Sequence, residues 1–269
     1  MLYFISRLCV AIMIVLGVAG GAQAASFDHS ALDALLKAHV KPWDKGRATR
    51  VDYDGFKRDR ARLASYLEKT AAVSRATFDG WSKDEQLAFL INVYNAHTIE
   101  SILTGYPGLK SIRDLGGVFA SPWKREIVPL FGVMHSLDDV EHGMIRGSGR
   151  YNDPRIHFAV NCASIGCPDL RAEAYSGQAL DRQLDEQTKL FLADRTRNRL
   201  NGQALEISSI FKWYGEDFET GFRGTNTIGA FLALYGEAMG LDATAQEAAR
   251  RGDYRLRYLS YDWNLNGTK

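Results

Sequence analysis

The sequence predicts an α+β domain in which helices pack on a small, mainly antiparallel sheet. Three observations lead to this class. Apolar residues recur at helical spacing in several segments, the helical segments outnumber the strand-like ones, and the strand-like runs are short and separated by turn signals. The chain of 269 residues shows no internal repeat and no low-complexity linker. We therefore expect residues 25–269 to form one domain.

The N-terminal half is predicted to be helical. The clearest helix begins at Ser82, which forms a capping box with Glu85, and ends near Gly105 and Pro107. Including that one, we expect three helices: the first is capped by Asp28 or Ser30 and stops before Pro42, the second spans residues 56–72, and the third follows Ser82.

The second half alternates strands with helices. Asn201-Gly202 between two short apolar runs is the strongest hairpin signal. In a different strand, Glu126–Leu130, Pro129 should confine the strand to the edge of a sheet. The expected strands are Glu126–Leu130, Val133–Leu137, Arg155–Val160, Thr196–Leu200, Ala204–Ile207 and Tyr254–Leu259. The expected helices run from the Ser136/Asp139 cap to Arg146, from Ser176 past Phe191, and from Thr227 to Met239.

The first 24 residues have the pattern of a cleavable signal peptide. Arg7 precedes an apolar run over residues 8–18, and Ala22-Gln23-Ala24 predicts cleavage after Ala24. The run is short for a membrane-spanning helix, although an uncleaved anchor is the alternative. We expect the mature protein to be periplasmic or secreted, with no membrane span.

Charge and composition limit the possible partners. Cleavage would remove Arg7 and no acidic residue, which leaves equal numbers of basic and acidic residues. A neutral chain without a basic tract argues against a nucleic-acid partner. A small molecule, a peptide or a component of the cell envelope remains as the expected partner, and no pattern indicates a cofactor.

The segment Arg155–Leu170, RIHFAVNCASIGCPDL, is the most informative for chemistry. It places Cys162 at the end of an apolar run, among small residues, and Cys167 directly before Pro168 at a helix start. Exported cysteine pairs are usually bridged, so one interpretation is a structural Cys162–Cys167 disulfide. The other is a nucleophilic Cys162 or a redox-active pair.

A cysteine nucleophile needs a base and an orienting group. No histidine follows Cys162, which excludes the usual papain order of Cys before His. His142 or His157 is the expected base, Glu141 or Asn92 would orient it, and amides near Ala163 would stabilise an oxyanion.

Polar residues on two further segments belong to the candidate site. Asp138, His142 and Arg146 share one helical face, typical of a solvated, ion-paired surface. A metal site of His135, Asp138 and His142 fits no standard zinc spacing, so no metal is predicted. The residues expected to contact a ligand are Asn95, Arg146, Asn161 and Ser164.

We expect residues 89–96, 136–146 and 155–170 to meet around one cavity, because polar groups at the ends of apolar elements need shared partners. In the first of these segments, buried Asn92 and Asn95 either bracket a neighbouring loop or present an amide to the cavity. Tyr258, Tyr261 and Trp263 are expected to close the core.

The chain resembles the domain of unknown function 547 family. The matching motifs, in chain order, are Phe89–Ala96, Tyr106–Leu115, Ser136–Arg146, Asp153–Leu170, Ile207–Phe218 and Tyr258–Asn266. The resemblance implies an exported bacterial protein of one α+β domain, without an established activity. Plant relatives attach a similar domain to coiled coils, which implies a binding role as well, but no sustained heptad run is present here.

Two functional hypotheses follow. The first is a cysteine-dependent hydrolase or acyltransferase that uses Cys162. The alternative is a non-catalytic binding or envelope-assembly module, in which Cys162 and Cys167 are bridged and Glu141 pairs with Arg146.

Overall fold

A computed structural model describes residues 26–117 and 120–268. Its helices are α1 (Ser30–His39), α2 (Tyr53–Arg58), α3 (Arg60–Ala71), α4 (Arg75–Asp79), α5 (Lys83–Gly105), α6 (Leu180–Ala193), α7 (Ile210–Trp213), α8 (Ile228–Leu234) and α9 (Ala243–Arg251). Its strands are β1 (Val40–Trp43), β2 (Ala48–Val51), β3 (Glu126–Leu130), β4 (Val133–Ser136), β5 (Arg199–Asn201), β6 (Ala204–Ser208) and β7 (Arg255–Leu259). Helix exceeds strand, 52% against 15%, which confirms the α+β class. The predicted signal peptide lies outside the described residues.

Helix α5 is the centre of the fold. Most of its 23 residues are buried on every side, as is typical of a helix surrounded by other elements. Its start is fixed by one half of the predicted capping box, because the Ser82 side chain accepts a hydrogen bond from the Glu85 amide at 3.2 Å. Two of the three apolar clusters of the core include side chains of α5, and the third includes side chains of α8. The side chains of α5 are therefore packed against the neighbouring elements.

The strands form three small sheets. β1 pairs with β2, β3 with β4, and β5 with β6, all antiparallel, so the hairpin predicted at Asn201-Gly202 is confirmed. β7 pairs with β6 in the parallel direction, which the sequence analysis did not anticipate. The long connection through α7, α8 and α9 allows this, because a parallel pair requires a crossover of a dozen or more residues.

Several predicted elements differ in the structure. The helix expected from Thr227 to Met239 ends at Leu234, and no helix begins at Pro168. The strand expected at Arg155–Val160 is wrong: residues Pro154–Phe158 form a 3₁₀ helix, which Asp153 caps by accepting from the Arg155 amide at 3.0 Å. Pro154 suits the first turn of a helix because its ring fixes φ. All five residues are buried, and a short, fully buried apolar run has the same sequence pattern in a strand and in a helix.

The single helix expected over residues 56–72 is divided at Asp59, which ends α2 and begins α3. The Asp59 carboxylate bonds to His39 Nε2 at 2.7 Å, a contact with α1 that helical periodicity cannot reveal. Within the described residues, no helix combines the length and the apolar character needed to cross a membrane.

Candidate functional site

The three segments expected to meet do so at one cleft of about 260 Å³. Helix α5 contributes Tyr94, a π-helix over Asp139–Arg146 contributes Glu141 and His142, and the segment after Asp153 contributes His157 and Cys162. Single-turn π segments are frequent at functional sites because they change the direction of a side chain relative to an α-helix. We refer to this space as the cleft.

The residues 161–168, which we call the cysteine loop, are held by their own polar groups. Asn161 Oδ1 accepts from the Ala163 amide at 2.9 Å, and Asn161 Nδ2 donates to the Pro168 carbonyl at 2.7 Å. Ala163 has a φ of +60°, which is uncommon for a residue other than glycine and costs backbone energy. The loop thus holds Cys162 in one position, and buried Asn161 serves the loop rather than a ligand.

A C-terminal segment packs closely on this loop. The Gly166 amide donates to the Asp262 carbonyl at 2.7 Å. A Cβ at position 166 would lie 2.8 Å from the Asp262 amide nitrogen, so only glycine permits this approach. The approach brings Tyr261 to Cys162.

The sulfur of Cys162 lies among hydroxyl groups. Its Sγ is 3.1 Å from Tyr261 Oη and 3.2 Å from Ser164 Oγ, and the two hydroxyls are 3.0 Å apart. A hydrogen bond with the Cys167 thiol, and then those with Ser164 and Tyr261, lower the pKa of Cys162, although burial and the Glu141 charge oppose this. Burial raises the pKa of Cys167. The thiolate is therefore favoured at Cys162.

Both Cys162 and Cys167 are free thiols in the structure, and the Cys162 amide donates to Cys167 Sγ at 2.9 Å. The disulfide stays a prediction for oxidising conditions. The amides expected to stabilise an oxyanion are already used, because that of Cys162 bonds to Cys167 and that of Ala163 bonds to Asn161.

His157 is hydrogen-bonded to Asp217, which in turn binds Arg146, and these last two residues do not line the cleft. Its Nε2 lies 2.7 Å from Asp217 Oδ2, and Arg146 holds the same carboxylate with two bonds of 2.6 and 3.1 Å. The His157 ring stacks on Tyr214, with centroids 4.2 Å apart. Despite burial, hydrogen bonds from His157 and Arg146 hold the pKa of Asp217 far below its usual value.

These contacts define the protonation of His157. Burial lowers the pKa of His157, so the neutral ring is favoured. An ionised Asp217 only accepts, which places the proton on Nε2 and leaves Nδ1 as an acceptor. A neutral, carboxylate-oriented imidazole of this kind is suited to general-base chemistry.

His142 has both ring nitrogens engaged. Arg146 has donors only, so Nδ1 of His142 accepts from its Nη1 at 2.9 Å, and Nε2 faces Asp138 at 3.4 Å. Arg146 and His142 are thus joined by a hydrogen bond and His142 lies beside Asp138, but the ion pair of Arg146 is with Asp217, outside the row, and Asp138 and His142 line the cleft. The pair expected between Glu141 and Arg146 is wrong, because Arg146 binds Asp217 instead.

Asn92 and Asn95 do not line the cleft. Asn92 forms two bonds with the backbone of Tyr175, at 2.8 and 2.9 Å. Asn95 donates to the Ala159 carbonyl at 3.0 Å and accepts from the Asn161 amide at 2.8 Å. Both are internal brackets, and Asn95 holds the start of the cysteine loop against α5.

Replacing Asn95 by Ala is expected to lower the free energy of unfolding by roughly 3 kcal/mol, because a buried carbonyl and a buried amide lose their partner. Urea denaturation measures the loss. Asn226→Ala, at an exposed position, is the matched control and should change little. Equal stabilities of the two variants would contradict the bracket assignment.

His97, one of the histidines before Cys162, is buried in α5 without a hydrogen-bond partner for Nε2 in the described structure. Burial lowers the pKa of His97 to about 4, and that of His29 to about 4 as well. Nothing places His97 at the cleft, and no group of three or more His, Cys, Asp or Glu within residues 26–117 and 120–268 is arranged for a metal ion.

The two histidines predict acid sensitivity. In the unfolded chain both histidines have a pKa of 6.5, and in the fold the pKa of each is about 4. Their contribution to the free energy of unfolding is therefore complete above pH 6.5 and is lost as the pH falls toward about 4. In His97→Leu, the free energy of unfolding should fall by roughly 3 kcal/mol less between pH 7 and pH 4 than in the wild type. Denaturation between pH 7 and pH 4 measures it, with His135→Leu on partly exposed β4 as control. An unchanged slope in His97→Leu would refute the assignment.

Several residues of the site were not predicted from the sequence. Asp217 was not considered, and Tyr261 and Trp263, expected to close the core, are partly exposed and line the cleft, while Tyr258 is exposed. Tyr214 and Trp213 also line it. The signal available was their position in the motifs Ile207–Phe218 and Tyr258–Asn266, which combine aromatic and acidic residues.

A family model described as "Protein of unknown function, DUF547" matches residues 78–192. This range includes α5, the π-helix and the cysteine loop, but neither Asp217 nor Tyr261. The comparison with curated proteins gave no match, and the comparison with solved structures gave none either. The description of the family names no activity.

Proposed function

We propose that the protein is a cysteine-dependent hydrolase or acyltransferase in which Cys162 is the nucleophile. The observation that carries this proposal is the environment of Cys162: a partly exposed residue that lines the cleft, with its sulfur beside two hydroxyls and a second thiol that lower its pKa. Because the thiolate is the reacting form, a thiol whose pKa is lowered is more nucleophilic near neutral pH than an ordinary thiol, whereas a purely structural thiol is buried and inert.

The reaction proceeds in two steps. The Cys162 thiolate attacks the acyl carbonyl carbon of the substrate, an S–C bond forms, and the leaving group departs with the electrons of its broken bond. Water or another acceptor then attacks the thioester. His157 Nδ1 takes the proton of this acceptor, and Cys162 leaves again as the thiolate. The imidazolium then returns its proton to solvent, from which the departed leaving group is protonated.

Asp217 supports His157 in the second step. Its carboxylate keeps the proton on Nε2 and stabilises the imidazolium that forms. Arg146 fixes the carboxylate in turn, through its two bonds. Asp217 and Arg146 are positioning residues. His157 is proposed as the base because it lines the cleft together with Cys162. The Cys162 sulfur itself is hydrogen-bonded to Tyr261 and Ser164.

An acyl-enzyme experiment tests the proposal. Incubation with p-nitrophenyl acetate should release nitrophenol in a burst and leave an acetyl group on Cys162, identified by peptide mass spectrometry. Cys162→Ala should lose the burst, and Cys167→Ser should keep an adduct at position 162. Acetylation elsewhere, or none, would favour the alternative, a binding or envelope-assembly module with bridged cysteines.

We further propose that the chain is an exported bacterial member of the family, located in the periplasm or secreted. Arg7, the apolar run and Ala22-Gln23-Ala24 support this. Intact-mass and N-terminal analysis of protein expressed with its leader should give Ala25 as the first residue. A full-length chain retained in the membrane would refute it.

A further inference from the structure

One wall of the cleft is formed by aromatic rings, the aromatic wall of Trp123, Trp213, Tyr261 and Trp263. Trp263 lies 4.5 Å from Tyr261, 5.8 Å from Trp213 and 5.9 Å from Trp123 between ring centroids. Trp213 is 45% exposed, so the wall is open to solvent. Large exposed rings beside a reactive group are unusual for a core and typical of a binding surface.

The charges that line the cleft are negative. Its carboxylates are Asp138 and Glu141, and neither lysine nor arginine lines it. Two arginines lie behind lining rings: Arg146, over Tyr214, is bound to Asp217, and Arg113 lies over Trp263. The carboxylates of the cleft thus have no lysine or arginine partner among its lining residues.

Glu141 is the important carboxylate. It is only 7% exposed, yet it is absent from the ion pairs of the described residues. Its contacts with Tyr94 and Tyr214 raise the pKa of both phenols further above the value that burial alone gives. Phenols satisfy a carboxylate oxygen without neutralising its charge, and the Glu141 charge favours the protonated forms of Arg146 and His157 without forming an ion pair with either, because both bind Asp217. A buried charge is costly unless an opposite charge accompanies it.

We propose that the cleft recognises a primary ammonium group of the substrate, with Glu141 as its counter-charge and the aromatic wall as its cation–π surface. This inference rests on the proposed function, because it specifies the substrate class of that site. An aromatic face attracts a cation, and Arg113 already lies over the Trp263 ring, 5.2 Å from the centroid. A primary ammonium also donates hydrogen bonds, which Glu141 accepts.

Calorimetric titration of the Cys162→Ser protein with n-butylammonium and with 1-butanol tests the proposal. The ammonium should bind at least about tenfold more tightly than the alcohol, the equivalent of one charge-assisted contact. Glu141→Gln should remove this preference, and Glu68→Gln, the same change at an exposed position, should keep it. Equal binding of the two probes would overturn the proposal.

Further measurements distinguish a peptide side chain from a free amine as the source of the ammonium group, and provide a second variant in case Glu141→Gln does not fold. Nα-acetyl-lysine amide that binds more tightly than n-butylammonium would indicate a peptide side chain, and the reverse order a free amine. Trp213→Leu, at an exposed position, should weaken ammonium binding severalfold if Glu141→Gln fails to fold. An unchanged affinity in Trp213→Leu would overturn the role of the wall. Because Cys162→Ser carries out no acyl transfer, failure of ammonium binding and failure of the nucleophile are observed independently.

Discussion

Iodoacetamide is expected to alkylate Cys162 roughly ten- to a hundredfold faster than Cys167 in the native protein, because the thiolate is the reacting form. Cys162 is partly exposed, and its pKa is lowered chiefly by the hydrogen bond with Cys167. Cys167 is buried, and burial raises its pKa. Peptide mass spectrometry over a pH series gives both rates, and the midpoint for Cys162 should lie below that of an ordinary thiol, about 8.5.

The contribution of Tyr261 can be separated by a matched pair of variants. Tyr261→Phe removes a hydroxyl 3.1 Å from the sulfur, so the midpoint for Cys162 should move to higher pH. Tyr258→Phe makes the same change on an exposed ring and should leave the midpoint in place. Equal alkylation rates for the two cysteines in the folded protein would refute the assignment of Cys162 as the nucleophile. The control is the urea-unfolded protein, in which both rates are measured without the contacts of the fold.

Asp217→Asn is expected to lower kcat for acetyl ester hydrolysis by about a hundredfold or more, with little change in KM. An amide no longer fixes the proton on His157 Nε2 and no longer stabilises the imidazolium. It also leaves Arg146 without its ion-pair partner. Steady-state kinetics measures the split between kcat and KM, and Asp84→Asn at an exposed position is the control.

Stability measurements distinguish this positioning role from a purely structural one. The pKa of Asp217 is lowered in the fold, so its contribution to stability is complete above pH 3.8 and is lost as the pH falls further. The stability difference between wild type and Asp217→Asn should therefore narrow below about pH 4. If Asp217→Asn loses stability but keeps kcat near neutral pH, Asp217 does not position the base.

Local features of the fold were predictable from sequence. The start of α5 follows from the Ser82 cap, and the β5–β6 hairpin follows from Asn201-Gly202. Cys162 stood out as accessible because small residues surround it. Each of these depends on interactions within a few residues, which composition and spacing record directly.

Tertiary contacts decided the rest. The Asp59 break depends on His39, the His157 base depends on Asp217 60 residues later, and the cleft depends on Tyr261, 99 residues from Cys162. The 3₁₀ helix at Pro154 and the parallel pairing of β6 with β7 likewise follow from burial and from a long crossover. The sequence alone determined which residues carry reactive groups and where single elements begin. Which groups share a proton or a charge depended on distances across the folded chain, because hydrogen bonds and ion pairs act over a few ångströms regardless of sequence separation.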